Sequence, residues 1–124
     1  MAEGLNRATL LGHLGADGIL RHTQSGTAVL NLRIATTERY QDSDGNWKDR
    51  TDWHNAVVWG KRGESIAPYC KKGKQMYIEG RLQTSSYDGR DGEKRYKTEI
   101  NARTVLLLGS GERQQQPTGG GMFA

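Results

Sequence analysis

The chain has 124 residues, of which 17 are glycine and 34% hydrophobic by a count that omits glycine, enough for one domain with its own core and against disorder throughout. Its 18 basic and 14 acidic residues leave a net charge of +4, which suits a polyanionic partner without requiring one. A single cysteine, Cys70, excludes an intrachain disulfide framework, and the brief apolar run near the N-terminus encodes neither a signal peptide nor a membrane span, so a soluble cytoplasmic protein with no membrane partner is expected.

"LNRATLLGHL" at 5–14 is rich in Leu and Thr and stops at the turn signal "ADG", which predicts a first strand. "TAVLNLRIATTE" at 27–38 predicts a second, with Leu30, Leu32 and Ile34 on its core face and Asn31, Arg33 and Ala35 on a face free to meet a ligand. "YQDSDGNWKDR" at 40–50 has the Asp and Gly content of a long hairpin loop, and "TDWHNAVVWG" after it predicts the third strand. In "KRGESIAPYCKKGK" a short helix is expected from Glu64 or Ser65, shortened or tightened by Pro68, with two lysines in its last turn and Gly73 as its left-handed cap. "KQMYIEGRLQTSS" at 74–86 alternates as a fourth strand, "YDGRDGEKR" at 87–95 repeats the loop chemistry, and "YKTEINARTVLLL" at 96–108 is the fifth. The remainder has no apolar period and reads as a flexible tail, which ends the folded domain near residue 109 and leaves 110–124 outside it. Five strands, two long loops and one helix between the third and fourth strands predict an all-β OB-fold, a five-stranded Greek-key barrel.

The aromatic side chains are unevenly spread. All three tryptophans, Trp47, Trp53 and Trp59, fall within "NWKDRTDWHNAVVWG" at 46–60. Alternation along the third strand puts Trp53, Asn55, Val57 and Trp59 on one side and His54, Ala56 and Val58 on the other, with the two indoles about 20 Å apart. Such indoles serve either as core packing or as separated platforms on which unpaired bases stack, and the pattern alone leaves both readings open.

"LNRATLLGHLGADGILR", "AVLNLRIATTE", "WKDRTDWHNAVVWGK" and "KKGKQMYIEGRLQT", in that order and spacing, resemble the bacterial single-stranded DNA-binding proteins over residues 5 to 108. The resemblance implies a homotetramer of OB-folds that binds and protects single-stranded DNA in replication, recombination and repair, in the cytoplasm with the nucleoid. Matched position by position, it implies stacking on Trp53, Trp59, Tyr40 and Tyr87, the tyrosines standing where many members have tryptophan. Trp47 is matched by an aromatic residue in only part of the family. Phosphate contacts are implied for Arg7, Arg21, Arg33, Lys61, Lys72, Arg81 and Arg95, and subunit contacts for His54, Gln75 and Tyr77. Asn55, Ser85 and Ser86 stand where basic residues are common, which implies a less positive surface.

His13, His54 and Cys70 lack metal-ligand spacing and no phosphate-binding glycine loop follows a strand, so neither an enzyme nor a cofactor is expected. The alternatives are a primosome-type OB interaction module, which should have lost the aromatic set, and an RNA-binding OB protein, since stacking does not discriminate the sugar. Members of the family usually end in an acidic tip that recruits replication and repair enzymes, whereas this sequence has no acid after Glu112. Such enzymes are expected as partners only if the natural chain carries an acidic tip.

Overall fold

A computed structural model describes residues 3–109. The tail expected at 110–124 lies outside the described residues. Six strands form one sheet: β1 (Ala8–Leu14), β2 (Ile19–His22), β3 (Ala28–Gln41), β4 (Trp47–Trp59), β5 (Gln75–Asp88) and β6 (Lys94–Leu107). Their order is β1-β5-β6-β4-β3-β2, and a further β1–β3 pairing closes the sheet on itself. Between β4 and β5 lie a helix, α1 (Lys61–Ile66), and a 3-10 turn (Ala67–Tyr69).

β1 pairs with β5 from Ala8 to His13 and with β3 at His13 and Leu14, and β2 continues that ladder on β3 from Ile19 to His22. The two together act as one bent first strand, interrupted at 15–18, so the closed body is the five-stranded OB barrel that the sequence predicts. β2 is the element missing from the sequence reading. All four of its residues are exposed, so it carries no period that marks a half-buried strand.

Alternation decides the rest. Leu30, Leu32 and Ile34 of β3 enter the core with Ala56 and Val58 of β4, Met76 and Ile78 of β5, Ile100 and Val105 of β6, and Leu14 and Cys70. Burial holds the Cys70 thiol above its ordinary pKa, and the nearby Lys74 charge opposes that only partly.

Three further expectations need correction. The two long loops are turns of five residues, 42–46 and 89–93, because strand pairing continues outward to Gln41↔Trp47 and Asp88↔Lys94. Asp42 Oδ1 accepts the backbone N–H groups of Asp44 and Asn46 at 2.9 Å each, which closes the first turn tightly. The helix begins at Lys61, directly after Gly60, and cannot continue past Ile66 in α form because Pro68 has no N–H to donate four residues back; the chain tightens into the 3-10 turn. Lys71 and Lys72 therefore lie outside the helix, and Gly73, at φ +90°, serves a separate turn closed by Lys74 N–H to the Lys71 carbonyl at 2.9 Å.

Candidate nucleic-acid interface

The outward face of β4 presents Trp53, Asn55, Val57 and Trp59. The β3 register sets Ala35, Arg33, Asn31 and Val29 opposite them in that order, and β2 extends the face with Ile19 beside Asn31 and Arg21 beside Val29. On the other side β6 brings Asn101 beside Val57 and β5 brings Arg81 beside Asn101. Ile19, Asn31, Val57, Asn101 and Arg81 thus form one row across five strands, spanning about 20 Å at the usual strand separation. Val57 is only 5% exposed although it points away from the barrel interior and lies outside the core cluster. It floors a shallow trough with an indole at either end.

Those indoles are not core residues. Trp53 is 50% and Trp59 47% exposed, against 0 to 7% for the core cluster. About half of each indole is open to water, an amount of exposed aromatic surface that makes this side of the barrel the candidate face. The rim of the Trp53 ring, at Cζ3 and Cη2, abuts Gly15, where a Cβ would overlap it, and the Arg33 guanidinium lies over the ring 4.9 Å from its centroid. The cation over the ring and the glycine against its rim together fix its orientation.

Two ribbons prolong this face. On β5–β6, Tyr87 and Arg95 are directly paired, and Arg95 Nη2 donates to Asp91 Oδ2 at 2.9 Å. On β3–β4, Trp47 shares the face by alternation and lies under Arg39, whose guanidinium is 5.7 Å from the ring centroid. Tyr40 is exposed but stands opposite Lys48, which places it on the reverse face of the ribbon from all three tryptophans.

The structure therefore brings Trp53, Trp59, Arg21, Arg33 and Arg81 together, with Tyr87 and Arg95 on one ribbon and Trp47 on the other. Among the described residues Arg21, Arg33 and Arg81 meet no carboxylate at ion-pair distance. Arg7 borders the face at the β1–β5 edge and is paired with Glu79 at 3.7 Å. Lys61 starts α1 just past Trp59. Lys72 sits in the 71–74 turn, its backbone N–H bound to Asp17 Oδ1 at 2.8 Å. Of the three uncharged positions expected to make the surface less positive, Asn55 and Ser85 lie on the outer face and Ser86 on the reverse.

Sequence reasoning did not single out Asn101 or Arg39. Asn101 joins the face only through the parallel β4–β6 register, and Arg39 reaches Trp47 only through the outer β3–β4 pairing, neither of which a local pattern encodes. Gln75 and Tyr77 lie elsewhere, on the outward side of β5, where Leu11, Tyr77 and Leu106 sit in register on three neighbouring strands. Leu11 and Leu106 are 55% and 51% exposed. His54 does not join that strip; it is half-buried and its Nε2 lies 2.9 Å from Thr36 Oγ1. Among the described residues no group of three His, Cys, Asp or Glu side chains is placed to hold a metal ion, and no helix is long and apolar enough to cross a membrane.

Comparison with known proteins gives one family. The model of the single-strand binding protein family matches residues 5–108. The chain is 50% identical over 111 residues to single-stranded DNA-binding protein 1 of Chlorobaculum tepidum, covering 89% of this chain and 68% of that protein. It is 43% identical to the single-stranded DNA-binding protein of Xanthomonas axonopodis pv. citri, covering 88% of this chain and 61% of the relative. The Plasmodium falciparum SSB complex with ssDNA superposes with a TM-score of 0.79 at 25% identity, covering 88% of this chain and 99% of that one. A deletion mutant of the Thermus aquaticus single-stranded DNA-binding protein superposes at 0.78 with 30% identity, covering 91% of this chain and 55% of that one.

Proposed function

The chain belongs to the single-strand binding protein family, and from that premise we propose that it binds and protects single-stranded DNA on the outer face of its barrel, by contact and without catalysis. The observation that carries the reading is the pair of half-exposed indoles at the ends of a trough floored by Val57 and bordered by Arg21, Arg33 and Arg81. Bases stack on Trp53 and Trp59, each contact contributing about 1 to 3 kcal/mol, and the arginines neutralise phosphates. Every base has a π-face, so no strong sequence preference follows. The strand then runs along the ribbons past Tyr87 and Arg95 on one side and Trp47 on the other, with Tyr40, Lys61, Lys72 and Arg7 as outlying contacts.

The protein assembles as a homotetramer that serves replication, recombination and repair at the nucleoid. The strip formed by Leu11, Tyr77 and Leu106, flanked by Gln75, supports a subunit contact on a side of the barrel that leaves the tryptophan face open. His54, on the inward side of β4, completes that contact only from a neighbouring copy. Replication and repair enzymes join through an acidic tip where the natural chain carries one.

The test compares oligo-dT, oligo-U and duplex DNA of equal length across a salt series. Oligo-dT binds tightest, and its log affinity falls with log salt by about 0.7 for each phosphate neutralised. Preference for the duplex contradicts the reading, and preference for oligo-U replaces DNA by RNA as the ligand.

A further inference from the structure

β4 and β6 run parallel and pair only at Ala56↔Ile100 and Val57↔Asn101. The β3–β4 and β5–β6 hairpins therefore project from the same end of the barrel and part beyond that contact. Side chains that would point inward within the barrel are left uncovered there. On β5–β6 the sequence of inward positions is instructive: Ile100 is buried, its partner Leu82 is already 47% exposed, Thr84 and Thr98 bond each other at 2.9 Å, and then Tyr96 faces Ser86.

Tyr96 is 70% exposed. Its neighbours on that face are Ser86 opposite, Thr84 and Thr98 toward the barrel, and Lys94 with its cross-strand partner Asp88 toward the tip, none of them apolar, so its ring is open and the barrel gains little from it. Lys94 lies two residues along on the same face, opposite Asp88 in the register, but its ammonium is not within ion-pair distance of that or any other carboxylate among the described residues. The outer face of this hairpin carries Tyr87 against Arg95. The other hairpin repeats the arrangement, with Trp47 and Arg39 on one face and Tyr40 opposite Lys48 on the reverse. Each hairpin thus holds an aromatic ring and a cation on both of its faces.

We propose that the reverse face of the β5–β6 hairpin, formed by Tyr96 with Lys94, is an additional stacking site for a nucleobase and its phosphate, so that one single strand engages both faces of the hairpin. The inference rests on single-strand binding at the outer face and extends it. An open ring beside an unpaired ammonium is the combination that holds unpaired nucleotides without reading their sequence, and a duplex cannot bend around a ribbon of this width.

The experiment uses the full chain with oligo-dT carrying a single 5-iodo-deoxyuridine at each position in turn, followed by long-wave ultraviolet cross-linking and mass spectrometry. Cross-links at Tyr96 are expected in addition to those on the outer face. Tyr96→Ala lowers affinity for a long oligo-dT by about fivefold to a hundredfold, Tyr96→Phe leaves it near the parent value, and Lys94→Ala makes the salt dependence shallower by about one phosphate contact. Tyr96→Ala with unchanged affinity and no Tyr96 cross-link, while tryptophan emission is still quenched, overturns the second face and leaves the outer one standing. Loss of quenching in the parent protein overturns the outer-face reading instead.

Discussion

Trp53 makes the residue-scale logic concrete. Its ring is held at its rim by Gly15, which has no side chain, and on one face by the Arg33 guanidinium, so its position depends on two neighbours that contribute no aromatic surface. Gly15→Ala should displace the ring and weaken oligo-dT binding by about five- to tenfold, toward the low end of one stacking contact, with part of the tryptophan quenching lost; unchanged affinity and quenching would show that the ring position is irrelevant. Alternation in "TDWHNAVVWG" made it legible that both indoles share one side, while leaving open whether they pack or stack. Gly15 was readable only as part of a turn, since its role comes from a ring 38 positions away in the chain. Cys70 gives a second residue-scale outcome. The buried thiol has a raised pKa, so it stays protonated at neutral pH, its contribution to stability is present below the unfolded pKa, and that contribution is lost as pH rises through the folded value. Iodoacetamide should therefore label it slowly in the native protein and rapidly after denaturation; fast native labelling would contradict the burial.

At the scale of elements, the barrel and the ribbons obey different rules. Within the barrel, period-two alternation marks β3, β4 and β5 because one face is buried. Beyond Ile34 and Ala56 that constraint disappears, and "YQDSDGNWKDR" still pairs strand to strand although its composition reads as loop. Polar ribbons are illegible by hydrophobic pattern for this reason, as is the exposed strand β2. The helix start was misplaced because Gly60, at φ +81°, fixes it by backbone conformation and no capping side chain announces it. Replacing residues 39–49 by a short turn should therefore cost the barrel under about 1 kcal/mol, a melting shift below about 8 °C, since no core residue is removed. It should nevertheless reduce affinity for long oligo-dT more than for short, through loss of Tyr40, Trp47 and Arg39. A collapse of the fold in calorimetry would show that the ribbon is structural.

For the whole molecule, a net charge of +4 understates the asymmetry, because most acidic partners of the described cations lie away from the Trp53–Trp59 trough while Arg21, Arg33 and Arg81 stand free beside it. The exposed strip at Leu11, Tyr77 and Leu106 predicts a tetramer by light scattering at micromolar concentration, and Tyr77→Arg should shift it toward smaller species; a monomer at all concentrations would remove the assembly. Neither feature is visible along the chain, since both arise from strands brought side by side by barrel closure. The proposed single-strand binding depends above all on the two indoles as stacking platforms. Its most direct test is titration of Trp53→Ala, Trp59→Ala and the double variant with oligo-dT, with thermal melting alongside. Each single change should lower affinity by about fivefold to a hundredfold and remove its share of the emission quenching while leaving the melting temperature nearly unchanged; unaltered affinity with a lowered melting temperature would make both tryptophans structural and contradict the account.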